Sequence, residues 1–597
     1  MKAYGPFDRE IEMNSEIKIP NHQNRTAIGI GIVVTVSLLF TAHFTWVWEH
    51  HPHNFQQLAK AFSSIEALQG TPVVNHGGNL VGMVHNTPQG TGIFIANIPA
   101  QTEQTICEAK ETDVVGNPRV FGWSPDDCTF AYRWNIGLHF VNTNGLEYPG
   151  EIPTPYLESF TWLTPDSCAY IDQDTKVDNG KQVAIAQNIQ GKWQETASWP
   201  LSTTNETPRA LLAMSPNVVA WRTDNSIRQM DLSTGEIKTL YSNQKGAITS
   251  LSYSSDTGEF LFVETTNRER TSSLFALSNG SKTLKPTGKY PIKDAQWINK
   301  GKGYAYLIPA RDDTSLFIQG EEGPTGKTFF SSGQVESIIG VGENSHVYAL
   351  ASYTNEAPSI WLCDSDIENA RCLFSPCGFA TVPIHFQPAL VGYAPMPDKH
   401  YEEFVLIPPA NFSRQKKYPL IIGMQGYDWM NVAHATYSQT LANSGVYVAL
   451  TGYHYVPQRT KEALLAYANN VLAVYNQMAK NPNVDTSRVY IFAFSSSTIV
   501  INQLIDDYPG RWRGVMLFSP TASLPTTKTG RLLPPILVTA GSDEDALWKR
   551  FPAYQETLAQ AGVPVEWYVH PDEGHIERSQ NTMYQRALLM GRMIFGD

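Results

Sequence analysis

The pattern of apolar and polar positions divides the chain into three regions. From about residue 75 to 380, short β-branched and aromatic runs alternate with turn residues at a recurring spacing. One unit is an apolar run at 120–123, the turn Ser124-Pro125-Asp126-Asp127, and a second run at 129–132. The turns Thr164-Pro165-Asp166-Ser167 and Ser215-Pro216-Asn217 repeat it, and weaker copies surround 255–258, 299–303 and 342–345. Pro125 and Pro165 stand 40 residues apart, as do Pro216 and Asp256. Proline sets φ for the second turn position, and Asp or Asn tolerates the bend that follows. Strand, turn and strand at this period predict a β-propeller. With a degenerate first blade near 73–98 the count is about seven blades, and the expected domain is 60–383.

After about Pro383 the period changes. Residues 418–422, 446–450, 489–492, 514–518, 535–539 and 563–569 read as buried strands. Between them, 461–480 carries Leu464, Leu465, Ala468, Val471, Leu472 and Tyr475 at helical spacing. Strands alternating with helices predict a mostly parallel α/β sheet over 384–597.

The third region is 27–48, a stretch of 22 residues without a formal charge. Roughly 20 apolar residues cross a bilayer. Trp46 and Trp48 stand where an interfacial aromatic belt falls. With no clean cleavage site behind it, the segment is expected to be an uncleaved transmembrane anchor. Lys18 and Arg25 precede it and Glu49 follows, which places the tail 1–26 in the cytoplasm and the bulk of the chain outside. His50, His51 and His53 beyond it read as a solvated juxtamembrane stretch rather than metal ligands.

Composition adds exclusions. The chain has 597 residues, more than one core accommodates. Its 44 basic and 56 acidic residues give a net charge of −12, and no basic run carries interleaved aromatics, so a nucleic-acid surface is not expected. The six cysteines have no paired Cys-x-x-Cys metal spacing, though Cys363, Cys372 and Cys377 are close enough in sequence for one disulfide in an oxidising compartment. Glu321-Glu322, between glycines and a proline, reads as a solvated loop.

Candidate chemistry lies in the α/β region. The run 489–494 ends in Ser495-Ser496-Ser497-Thr498, followed by an apolar helical pattern at Ile499, Val500, Leu504 and Ile505. Strand, sharp turn and helix with a serine at the apex make a nucleophile elbow. Further on, the strand at 535–539 breaks at Gly541 into Ser542-Asp543-Glu544-Asp545. The last strand runs into Pro571-Asp572-Glu573-Gly574-His575. Serine, acid and histidine in this order match a hydrolase triad. An imidazole activates the hydroxyl, and a carboxylate fixes the imidazole's tautomer.

On these residues the chain resembles the prolyl oligopeptidase family of serine peptidases, in a dipeptidyl peptidase-like membrane-anchored layout. The resemblance spans about 60–597 and is most specific in the last 200 residues. It implies an α/β-hydrolase domain behind the propeller, peptide substrates and no cofactor. The family acid falls three residues after the loop glycine, which points to Glu544, with Asp545 and then Asp543 as alternatives. The family's oxyanion-binding tyrosine position is held here by Gln425, with Tyr427 two residues on. The Ser496 N–H, next to the nucleophile, is the expected second donor. The elbow departs from the family's Gly-x-Ser-x-Gly-Gly, with Ala493, Ser497 and Thr498 at the glycine positions. A membrane-anchored peptidase working through Ser495, His575 and Glu544 or Asp545 is therefore expected. An inactive scaffold and an esterase are the alternatives, and a homo-oligomer stays open.

Overall fold

The computed structural model describes residues 55–596 apart from short stretches, the longest being 376–385, 425–431, 452–460 and 521–532. The expected anchor at 27–48 lies outside the described residues. Among the described residues no helix is long and apolar enough to cross a membrane. Glu321-Glu322, Cys377, Gln425 and Tyr427 also lie outside them.

The repeat is a seven-bladed propeller of four-stranded antiparallel sheets. The Ser-Pro-Asp type turns join the first and second strands of each blade, as between Arg119–Trp123 and Thr129–Trp134. Each inner strand would leave a row of unpaired N–H groups at the sheet edge. Hydroxyls of the preceding blade satisfy several of them. Ser159 Oγ accepts from Leu211 N at 2.8 Å, and Thr161 Oγ1 from Ala213 N at 3.1 Å. Two blades on, Ser250 Oγ and Ser252 Oγ accept from Ala295 N and Trp297 N, each at 3.2 Å. Turns also interlock: the Asp127 carboxylate accepts from His76 N at 2.9 Å and from Gly77 N at 2.8 Å, tying the second blade to the first.

Among the described residues no strand is exchanged to close the ring, because the seventh blade completes its own four strands, Gly333–Val341 to Arg371–Phe374. Closure rests on side chains. Val81, Met83 and Phe94 of the first blade share one core with Ile339, Tyr348, Leu350 and Ile360 of the seventh. The blades approach so closely that a Cβ on Gly78, whose φ is 70°, would stand 1.9 Å from the Tyr348 hydroxyl.

The C-terminal domain holds one eight-stranded sheet. Its strands are β1 (Leu390–Pro395), β2 (Tyr401–Ile407), β3 (Tyr418–Met424), β4 (Tyr447–Thr451), β5 (Val484–Phe494), β6 (Gly514–Phe518), β7 (Ile536–Gly541) and β8 (Val565–His570). They lie in the order β1-β2-β4-β3-β5-β6-β7-β8. β1 and β2 are antiparallel to their neighbours and the rest are parallel. This is the α/β-hydrolase arrangement. β3, β4, β6 and β7, and β5 from Val489 onward, are largely apolar because helices cover both faces.

On one face lie α3 (Lys461–Met478), contributing Val471 and Val474, and α4 (Thr498–Asp507), contributing Val500 and Leu504. On the other lie α2 (Val432–Asn443) and α7 (Gln580–Phe595). A short helix, α1 (Phe55–Ser63), straddles the expected start of the propeller at residue 60. It packs on α2 and α7 of the hydrolase domain, and Ala59 joins their core. Phe55 crosses Gly591 so tightly that a Cβ there would meet its ring at 2.2 Å.

Candidate active site

Register brings the site together. Ala493 of β5 pairs with Met424 of β3, Phe494 with Phe518 of β6, and Gly541 of β7 with His570 of β8. All these strands therefore end along one edge of the sheet, where functional loops of open α/β sheets gather.

At the end of β5 the chain turns through a single 3₁₀ turn, Ser495–Ser497, into α4. Ser495 takes φ of 53°, a left-handed conformation that costs a side-chain-bearing residue about 1 kcal/mol or more. Ser497 and Thr498 hold the turn. Ser497 Oγ lies 2.6 Å from Phe494 O and 3.2 Å from Met424 O, and it accepts from Phe494 N at 3.1 Å. Thr498 Oγ1 donates to Ser495 O at 2.7 Å. Both side chains are buried. The residues that replace the expected glycines thus brace the turn.

Ser495 Oγ is 2.8 Å from His575 Nε2. His575 Nδ1 is 2.9 Å from Glu544 Oε2. With the proton on Nδ1, that nitrogen donates to the carboxylate and Nε2 accepts from the serine. The histidine side chain is 41% exposed and Glu544 only 11%, so the imidazole is open to a reactant while the carboxylate is sheltered. Glu544 Oε1 also takes Gly541 N at 3.4 Å. Asp543 is exposed and hydrogen bonds to Ser542. Asp545 is the first residue of α5 (Asp545–Trp548). The Ser496 amide follows the serine in the same turn.

Behind these groups lies a buried cation that sequence reading missed. Arg586, in α7, is buried and donates to Thr539 Oγ1 at 3.3 Å. Its guanidinium stands 4.3 Å from the Phe518 ring and 6.0 Å from that of Phe494. Burial lowers its pKa to about 10 against the opposing effects of Tyr437, Glu573 and Glu544, so it is a cation at neutral pH. His570, at the end of β8, is also buried. Burial, helped by Arg586, pushes its pKa down to about 2, which keeps it neutral. A mid-helix arginine looks like a surface residue in sequence, and only the fold reveals it beneath the strand ends. Among the described residues no group of three His, Cys, Asp or Glu side chains could hold a metal.

The fold is a propeller joined to an α/β-hydrolase domain. Solved structures share it. The acylaminoacyl peptidase of Pyrococcus horikoshii matches with a TM-score of 0.62 at 12% identity, over 89% of this chain and 96% of that one. A prolyl endopeptidase matches with a TM-score of 0.69 at 10% identity, over 96% and 95%. The puromycin-hydrolyzing peptidase of Mycobacterium tuberculosis matches with a TM-score of 0.63 at 11% identity, over 90% and 96%. No family model matches the chain, and no curated protein matches it in sequence.

Proposed function

We propose that the chain is a serine peptidase of prolyl oligopeptidase type, cleaving peptide bonds in small peptides and held in a membrane by residues 27–48. The observation that carries this reading is the chain of two hydrogen bonds, 2.8 and 2.9 Å, from Ser495 through His575 to Glu544. As Ser495 Oγ bonds to the acyl carbon, His575 Nε2 takes its proton. Glu544 holds the Nδ1–H and stabilises the imidazolium. The Ser496 N–H and the Gln425 amide receive the charge developing on the acyl oxygen, where one donor supplies about 3 kcal/mol. The imidazolium then gives its proton to the departing amine. Water, deprotonated by the same imidazole, releases the acid.

The fold is shared with proteins named as acylaminoacyl, prolyl and puromycin-hydrolyzing peptidases, which supports amide bonds as targets. The bracing of the elbow by Ser497 and Thr498 favours a working site over a relic. Labelling the purified protein with a fluorophosphonate and mapping the adduct tests the reading. Adduct at Ser495, lost in His575→Ala, is the expected result, and folded protein that stays unlabelled leaves the scaffold alternative. Peptide and ester panels separate peptidase from esterase. For the anchor, the protein is expected to stay with membranes in alkaline carbonate, and to be released when 1–53 are deleted.

A further inference from the structure

Glu573 precedes the candidate histidine by two residues and is buried, 1% exposed. A carboxylate so placed is costly unless its oxygens are hydrogen-bonded. Here Oε1 accepts from Ser579 N at 3.0 Å and from Thr582 Oγ1 at 2.8 Å. The donors form an ordered array. Ser579 Oγ donates to Thr582 Oγ1 at 2.9 Å and, as the N-cap of α7, accepts from Thr582 N at 3.1 Å. The Glu573 backbone faces the other way, its carbonyl oxygen accepting from Asp543 N at 3.1 Å. Gly541 lies against the same stretch, where a Cβ would stand 2.1 Å from Glu573 O. One step beyond the cap, Gln580 N donates to Thr87 O of the first propeller blade at 3.0 Å. His575 therefore stands inside a segment fastened at both ends, with the acid-bearing loop fastened to it.

We propose that Glu573 is a positioning residue. Its side chain closes the histidine-bearing segment onto the start of α7 while its backbone fastens the Glu544 loop, and together these set the distances from His575 to Ser495 and Glu544. The kinetic consequence rests on the serine-peptidase reading, and the structural half stands apart from it. The reacting atoms never touch Glu573, so it acts only through the placement of His575.

The test uses full-length protein with Glu573→Ala and Glu573→Gln. It reads the rate of fluorophosphonate adduct formation at Ser495, and amide hydrogen exchange over 571–582. Misplacement of this kind costs about 10- to 100-fold, so Glu573→Ala should label that much more slowly, with exchange at Ser579 accelerated. Glu573→Gln keeps an oxygen acceptor and should recover most of the rate. A folded Glu573→Ala with wild-type labelling and exchange overturns the proposal, as does equal loss in both variants. If wild type itself fails to label, the peptidase reading falls, and the exchange comparison alone decides whether Glu573 fastens the segment. If Glu573→Ala does not fold, Thr582→Val replaces it, and unchanged exchange there overturns the proposal.

Discussion

Ser497 and Phe494 close the elbow on each other, the hydroxyl lying 2.6 Å from the carbonyl oxygen and 3.1 Å from the amide of the same residue. A glycine at 497 would permit the turn, whereas serine braces it. Ser497→Gly should therefore not restore a better site. It removes buried hydrogen bonds and should lower stability by about 1–3 kcal/mol, read as a fall in the denaturation midpoint.

Glu544 is the carboxylate at 2.9 Å from His575 Nδ1. Glu544→Gln should keep the fold but favour the wrong imidazole tautomer, slowing turnover on the order of 10⁴-fold. Asp543→Asn, at an exposed position, should stay within a few-fold of wild type by the same assay.

His570 gives acid sensitivity a defined sign. Its pKa is lowered from 6.5 to about 2 by burial and then by the Arg586 charge. Above pH 6.5 the imidazole is neutral in both the folded and unfolded states. Below it, the unfolded chain binds a proton that the folded protein refuses. Stability should fall with pH from 6.5 downward, by about 1.4 kcal/mol per unit from this group. His570→Phe should flatten that slope in denaturant titrations at pH 4 to 6.5. An unchanged slope would mean that other groups govern the acid limb.

Gly78 has φ of 70° and no room for a Cβ beside Tyr348. Gly78→Ala should loosen the seam between first and seventh blades and destabilise the protein by several kcal/mol. Adding Tyr348→Phe removes the hydroxyl nearest the new Cβ and keeps the ring in the core but leaves the backbone strain, so calorimetry should show partial recovery only.

What could be read in the sequence follows from burial and chain order. The blade turns were readable because Pro125, Pro165 and Pro216 mark the same corner of successive blades. Outer strands such as Ser281–Leu284 were not, because they are exposed along their whole length and carry no periodic signal. The hairpin β1–β2 was hidden by Glu402, whose carboxylate accepts from Thr451 Oγ1 at 2.7 Å inside the domain. Burial raises its pKa, a cost that no local pattern announces. Ser495, Glu544 and His575 were readable as candidates because each follows a β-strand in hydrolase order. Choosing among Asp543, Glu544 and Asp545 needs the distance to His575, which sequence does not contain. Arg586 and the fastening by Glu573 depend on contacts between β7, β8 and α7, which no run of residues reveals.

The short helix α1 is threaded before the propeller yet packs on α2 and α7. The propeller is thus an insertion, with the hydrolase core begun on one side of it and finished on the other. A fragment starting near residue 384 would bare the surface that Leu58, Ala59 and Phe62 cover, and should be insoluble. A minimal α/β-domain piece would need residues 55–63 supplied in trans or spliced on by circular permutation.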